Sequence, residues 1–161
     1  MCNFLSAIII KNGDVLTHPM LDSHSDLVRY YTVPDDSGYI NHFVKVELTP
    51  VDWLDVATWV FTVDEASLPP WWGDVATSAE ATLRARAERM ILRDGTHELI
   101  VDGCWIVGGT DNIRAVRSGR IVCVCGTAQV TNVWGTAQVT NVWGSAQVTN
   151  VRGTAQVTNV R

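Results

Sequence analysis

Four near-identical repeats of nine residues fill the last 36 positions of the chain and limit its possible folds more than any other feature. The first repeat reads Gly126-Thr-Ala-Gln-Val-Thr-Asn-Val-Trp134, and the others begin at Gly135, Gly144 and Gly153. The repeats differ only at Ser145, which replaces threonine, and at the last position, where tryptophan gives way to arginine in the final two. Self-similarity at a short fixed period is typical of stacked units that share a core. The repeats therefore predict a parallel β-solenoid.

Residue alternation predicts how each repeat faces the core. Ala128 and Val130 are expected to point inward and Gln129 outward, since side chains alternate along a strand. The Thr-Asn pair then turns the chain so that Val133 points inward again. Nine residues make too small a loop to close one coil around packed side chains, so we expect two repeats, or 18 residues, per coil. Gln and Asn are expected to form hydrogen-bonded ladders between coils.

The solenoid is predicted to begin well before the regular repeats. Residues 109–117 match the repeat at its glycine, its threonine and both apolar positions. We therefore divide the chain into an α+β domain over 1–94 and a solenoid over 95–161. Within the solenoid, 95–125 form degenerate coils and 126–161 form regular ones.

The side chains of the repeats exclude calcium binding and argue against ice binding. Residues 126–161 contain no Asp or Glu, so they lack the carboxylate ligands that a calcium-binding nonapeptide roll needs. An ice-binding threonine face is an alternative, but the threonines do not follow a Thr-x-Thr spacing. A structural solenoid is the favoured interpretation.

The final coil is expected to mediate self-association. No capping segment follows Arg161, so unpaired backbone groups and an open valine core are expected there, and proteins usually cover or pair such an edge. We expect two copies to pair end to end as a two-fold homodimer. The alternative is that Arg152 and Arg161 keep the edge monomeric. The predicted interface consists of Val151, Val157, Asn159, Val160 and Arg161.

The first 94 residues mix strand and helix signals. Asn12-Gly13 is a strong hairpin signal after an Ile-rich strand, and Ser23 and Asp74 are suitable helix N-caps. Pro69-Pro70-Trp71-Trp72-Gly73 is expected to form a stiff connector. Strands are predicted over 3–10, 15–18, 42–48 and 57–63, and helices over 24–31 and 75–92.

Charge and hydropathy favour a cytoplasmic protein. With a net charge of −5, nonspecific binding to nucleic acid or to an anionic membrane is not expected, because phosphate binding requires cationic side chains. The apolar run over 4–10 is too short to span a membrane and lacks the basic flank of a signal peptide. The four cysteines do not suggest a secreted disulfide scaffold.

Candidate chemistry is sparse, and neither a catalytic residue nor a cofactor nor a metal is assigned. Cys2 follows Met1 and is a weak candidate for an N-terminal nucleophile, with His24 as a second catalytic candidate. His18, Asp22, His24 and Asp26 form the densest group of potential metal ligands, but the expected role of this segment is helix capping.

Tryptophans and His24 supply the candidates for ligand or partner binding. Trp71 and Trp72 follow two prolines, with Trp53 and Trp59 nearby in sequence. A core role between helix and sheet is favoured, and a binding surface for a base, a sugar or a partner chain is the alternative. His24, at the predicted start of a helix, is the other candidate for ligand binding.

Several segments carry a family resemblance, namely residues 1–14, Asp22-Ser-His24, 43–50, Val63-Asp-Glu65 with Pro70-Trp71, and 103–107. Together they resemble uncharacterised proteins from phages, prophages and metagenomes, which share this N-terminal domain and end in variable numbers of short Gln-Val repeats. The resemblance implies a phage setting and a host-cell cytoplasm. It implies no activity, so no residue acquires a catalytic role from it.

Three functional hypotheses follow. The leading one is a non-enzymatic phage accessory protein, in which a partner-binding domain for a host or phage protein is dimerised end to end through the solenoid. The second is a binder that sequesters a nucleotide-like signal of host defence through Trp71, Trp72 and His24. The third is a small hydrolase or transferase that uses Cys2 and His24.

Overall fold

A computed structural model describes residues 4–34 and 42–161 of the chain. The chain divides into two units, Met1–Glu88 and Arg89–Arg161. The first contains a small antiparallel sheet with two helices, and the second is a parallel β-solenoid, so the predicted fold class is confirmed. The boundary along the chain falls after residue 88, six residues before the predicted boundary at residue 94. It falls earlier because the strand over 91–93 already pairs in the solenoid.

An antiparallel sheet forms the centre of the first unit. Its strands are β1 (Leu5–Ile10), β2 (Val15–Leu16), β3 (Phe43–Thr49) and β4 (Val60–Val63), in the order β2-β1-β3-β4. The predicted hairpin at Asn12-Gly13 joins β1 to β2: the Gly13 amide donates to the Ile10 carbonyl at 2.8 Å, and Gly13 has a φ of 87°. β4 is shorter than predicted, because Val56–Thr58 forms a 3-10 turn.

Helix α1 (His24–Tyr30) covers one face of this sheet. Its Leu27 packs against Ile8 and Phe43 in one buried cluster. Ser23 precedes the helix as predicted but makes no side-chain capping bond. The loop before the helix is instead tied to β1, since the buried Ser6 hydroxyl donates to the Asp22 carbonyl at 2.8 Å.

Helix α2 (Trp72–Arg89) begins earlier than predicted, so Trp72 belongs to the helix and not to the connector before it. The helix buries a stripe formed by Ala79, Leu83 and Ala87. Arg84 joins the helix to the 3-10 turn, because its guanidinium donates to the carbonyls of Val56 and Trp59 at 2.7 and 3.0 Å.

The second unit stacks parallel strands into two sheets. One sheet has the order β12-β10-β8-β6 and the other β13-β11-β9-β7-β5. The strands are β5 (Ile91–Arg93), β6 (Thr96–His97), β7 (Cys104–Gly108), β8 (Asn112–Val116), β9 (Arg120–Val124), β10 (Gln129–Val133), β11 (Gln138–Val142), β12 (Gln147–Val151) and β13 (Gln156–Val157).

Strand register confirms two repeats per coil. Gln129 pairs with Gln147, and Gln138 pairs with Gln156, so each residue stacks on the one 18 positions further along. Each repeat begins with glycine because the turn requires a positive φ. Gly135 has a φ of 65°, and a Cβ at this position would lie 2.4 Å from the Arg117 carbonyl oxygen, so no other residue fits.

Neither helix of the described residues is long and apolar enough to cross a lipid bilayer.

Candidate functional site

The last coil, residues 144–161, differs from the coil before it at three positions but lies in a different environment. Val133 and Val142, on the inner side of residues 126–143, are 0% and 3% exposed. Their counterparts 18 positions later, Val151 and Val160, are 44% and 70% exposed. Residues 144–161 therefore present an apolar surface, called here the open coil.

The strands of the open coil also carry backbone edges. β12 pairs with β10 and β13 with β11, and among the described residues each has a strand neighbour on one side only. An edge with unpaired N–H and C=O groups beside exposed valines is a template for another strand. The residues predicted at the dimer interface, namely Val151, Val157, Asn159, Val160 and Arg161, all belong to this open coil.

Stacked asparagines connect successive coils, as the predicted ladder requires. The Asn150 amide nitrogen donates to the Asn132 amide oxygen at 3.2 Å, and Asn159 donates in the same way to Asn141 at 3.2 Å. Asn141 in turn donates to the Val122 carbonyl at 2.9 Å. The ladder runs through asparagine, whereas the glutamines of these strands are exposed.

The exchange from tryptophan to arginine follows the period of the coil. Val116, Val133 and Val151 stack in register, so the residues that follow them form one column of Arg117, Trp134 and Arg152. Arg152 and Arg161 thus give the open coil two positive charges and no negative one.

A second group of polar side chains lies in the first unit, on the face of the sheet that α1 covers. His24 is the first residue of α1, Glu47 lies on β3, and Asp64 directly follows β4. One ligand atom from each of the three lies within 4.8 Å of the others. His24 is buried, Glu47 half-buried and Asp64 exposed, so the group opens toward solvent at Asp64.

One hydrogen bond and one close contact with a carboxylate define the orientation of the His24 ring. Its Nε2 lies 3.0 Å from the Val46 carbonyl oxygen, and its Nδ1 lies 3.5 Å from Oδ2 of Asp64. Antiparallel register brings the two strands together here, since Glu47 pairs with Thr62 and the Asp64 amide donates to the Lys45 carbonyl at 2.9 Å. We call His24, Glu47 and Asp64 the His24 triad.

The other predicted polar candidates near His24 do not belong to this triad. Nδ1 of His18 accepts from the Met20 amide at 3.1 Å, and the His18 ring packs against Tyr30. Asp26 faces Arg29 at 3.4 Å. Asp22 supplies the carbonyl that Ser6 binds. Of the four candidates over residues 18–26, the group of three ligand atoms within 4.8 Å contains His24.

The tryptophans make several ring contacts in the first unit. Trp72 is buried and Trp71 half-buried, with ring centroids 6.5 Å apart. Trp53 and Trp59 pack edge to face with Phe4 at 5.2 and 5.5 Å. Burial of Trp72 suits the core role that the sequence favoured, and a ligand site at Trp71, Trp72 and His24 stays a prediction.

The cysteines show little sign of chemistry. Cys2 lies outside the described residues, so its role as a nucleophile stays a prediction. Among the described residues, Cys104, Cys123 and Cys125 form no disulfide. A hydrogen bond with Cys125, together with burial, raises the pKa of the Cys123 thiol, which keeps Cys123 protonated and a poor nucleophile.

A buried carboxylate in the degenerate coils escaped sequence reasoning. Asp111 is fully buried at the position that alanine takes in the regular repeats. Its Oδ1 accepts from the Gly95 amide at 2.6 Å and lies 3.5 Å from Nε2 of His97. The match between residues 109–117 and the repeat could have flagged this position, because a carboxylate there replaces a core methyl group.

Comparisons with protein-family models, with curated proteins and with solved structures found no match to this chain.

Proposed function

We propose that this protein is a non-enzymatic accessory protein, in a phage setting, whose solenoid joins two copies of the α+β unit through the open coil. The observation that carries the proposal is the exposure of Val151 and Val160, which contrasts with the burial of Val133 and Val142. Exposed apolar surface of this kind is typical of an interaction site. The phage setting is supported by the family resemblance of the sequence.

A second copy is the occupant that fits the open coil best. β10 pairs with β12, which has the sequence Gln-Val-Thr-Asn-Val, and β11 pairs with β13, which has the first two residues of that sequence. β12 lies at the edge of its sheet, where the same sequence is open to another strand. Another copy therefore brings valines and asparagines of matching size and spacing. An interface between identical patches is self-complementary and closes at two subunits.

The charge of the open coil favours an apolar contact over an electrostatic one. Arg152 and Arg161 are its charged side chains, and two copies bring like charges to the same interface. An antiparallel pairing of β12 with its symmetry copy places the two Arg152 side chains at opposite ends of the strand pair. The remaining repulsion is screened by salt, so self-association should tighten as the ionic strength rises.

Sedimentation equilibrium of the full chain tests the proposal. The wild type should sediment as a dimer, and Val151→Asp with Val160→Asp should give a monomer, because the pairing would bury two carboxylates from each copy. Val51→Asp is the matched control, since Val51 is 67% exposed in the other unit and should leave the dimer intact. A double variant that dimerises as tightly as the wild type would refute the proposal.

A further inference from the structure

The His24 triad has the composition of a metal site and is independent of the open coil. One imidazole nitrogen and two carboxylates are ligands that Zn²⁺ accepts in proteins. They come from three elements far apart in sequence, namely the start of α1, the middle of β3 and the end of β4. The fold therefore brings mixed nitrogen and oxygen ligands to one point.

The orientation of the His24 ring is that of a metal ligand. A carbonyl oxygen can only accept, so the 3.0 Å contact with Val46 requires a proton on Nε2. In the neutral imidazole Nδ1 then carries a lone pair, and it faces Asp64 at 3.5 Å. A histidine that ligates a metal through one nitrogen commonly donates from the other to a backbone carbonyl.

The spacing of the ligand atoms suits a small divalent cation. Zn²⁺ binds nitrogen and oxygen at about 2.1 Å, so two of its tetrahedral ligands lie about 3.4 Å apart. The separation of 3.5 Å between Nδ1 of His24 and Oδ2 of Asp64 agrees with this geometry. All three ligand atoms lie within 4.8 Å of one another, so one small cation can lie among them.

The charges around the His24 triad are compatible with a bound cation. The cationic side chain nearest in sequence is Lys45, on the same face of β3 as Glu47, and its Nζ lies 3.5 Å from Glu65. A nitrogen lone pair directed at a carboxylate is repulsive, and a positive charge between them removes the repulsion. Either a metal ion or a second proton on His24 can supply that charge.

We propose that the His24 triad binds one Zn²⁺ ion, with a fourth position open to water. Three protein ligands and one open position are characteristic of zinc sites that exchange a bound molecule. The side chain of Asp64 is 67% exposed, so the open position faces solvent. The site extends beyond the scaffold role, because it gives the α+β unit a cofactor of its own.

Isothermal titration of metal-stripped full-length protein with Zn²⁺ tests the site. The wild type should bind one Zn²⁺ per chain, and Asp64→Asn and Glu47→Gln should each weaken binding about tenfold or more. Asp64 is exposed, so its conservative replacement should leave the fold intact. Asp26→Asn is the matched control, because Asp26 lies in the first turn of α1 but outside the triad, and its affinity should equal that of the wild type.

Two outcomes would overturn the proposal. Binding of equal strength in Asp64→Asn and Glu47→Gln would place the ion elsewhere, for example at the cysteine thiols of the solenoid. Absence of binding to the wild type, together with nitrogen chemical shifts that report a proton on both nitrogens of His24, would identify the triad as an imidazolium–carboxylate cluster. A Zn²⁺-induced shift confined to Nδ1 of His24 would support it.

Discussion

Residues 126–143 and residues 144–161 have nearly the same sequence, yet the structure gives them different roles. In residues 126–143, Val133 and Val142 are packed between coils, while in the open coil Val151 and Val160 are 44% and 70% exposed. The stabilisation that a residue supplies in a solenoid is therefore set by its place in the stack, because each coil is buried by its neighbours. Identical repeats offer matched pairs of substitutions that measure this effect directly.

The largest difference is expected for a buried charge. Val133→Asp should lower the free energy of unfolding by on the order of 4 kcal/mol or more and unfold the regular coils, because a carboxylate has no partner in a valine core. Val151→Asp should cost less than about 1 kcal/mol at the same concentration, since water reaches this position. Urea unfolding followed by circular dichroism at low protein concentration measures both. Equal losses for the two variants would contradict the account.

A smaller difference is expected when methyl groups are removed. Val142→Ala should destabilise the solenoid by about 2 kcal/mol, which combines lost apolar burial with the cavity left behind. Val160→Ala should cost about 0.5 kcal/mol, because most of its side chain is already exposed. The midpoint of urea unfolding reports the difference, and a larger loss for Val160→Ala would reverse the expected order.

Substitutions in the asparagine ladder should also destabilise the protein more in residues 126–143 than in the open coil, with smaller losses in the free energy of unfolding. Asn141 donates to the Val122 carbonyl and accepts from Asn159, whereas Asn159 makes the single ladder bond to Asn141. Asn141→Ala should therefore cost about 1–2 kcal/mol and Asn159→Ala about 0.5 kcal/mol. Thermal unfolding of the two single variants and the double variant gives the coupling between them. Strict additivity would show that the ladder bond contributes nothing.

The smallest expected effect is a dependence of stability on pH, which should affect the coils before residue 126 and not the regular coils. The backbone amide and then the hydroxyl of Thr110 donate to Asp94 and lower the pKa of its carboxyl below 3.8. A lowered pKa in the folded state means that this stabilisation is present above pH 3.8 and is lost as the pH falls through the folded value.

NMR titration of the Asp94 carboxyl checks this sign. Thr110→Val should move the pKa of Asp94 part of the way back, because the amide donor remains. Residues 126–161 have no acidic side chain, so methyl shifts of their valines should stay constant over the same titration. Valine shifts in the regular coils that follow the Asp94 titration would show that the two sets of coils unfold together in acid.

The solenoid could be predicted from sequence because its signal repeats. Gly at the turn, Ala and Val inside and Asn at the ladder recur every nine residues, and stacking each pair of repeats on the next satisfies all of them. The last position of the repeat also indicates the coil period, since two repeats end in tryptophan and the next two end in arginine. The degenerate coils were harder to delimit, because Asp111 and His97 replace the repeat residues there.

The His24 triad could be predicted only in part. His24 was singled out by its polar neighbours in sequence, but its spatial neighbours are Glu47 and Asp64. Antiparallel pairing of β3 with β4 and docking of α1 onto the sheet create this proximity, and neither leaves a local sequence period. All three residues lie in segments on which the expected family resemblance is based, and no other sequence signal connects them.

The start of α2 shows a different limit of sequence reasoning. Two prolines and a glycine suggested a connector through residue 73, yet Trp72 already lies in the helix and is buried. Proline is tolerated just before and within the first turn of a helix, where an amide donor is not needed. Burial of the Trp72 ring therefore decided where the helix begins, and this burial depends on contacts that the local sequence does not reveal.

Native mass spectrometry of the untagged full-length chain over a dilution series tests the central claim most directly. One chain has a mass of 17.7 kDa, so a two-fold assembly through the open coil predicts a species of twice that mass that dissociates on dilution. The dimer should be absent in Val151→Asp with Val160→Asp and present in Val51→Asp. A wild-type chain that stays at 17.7 kDa across the whole concentration range would contradict the account.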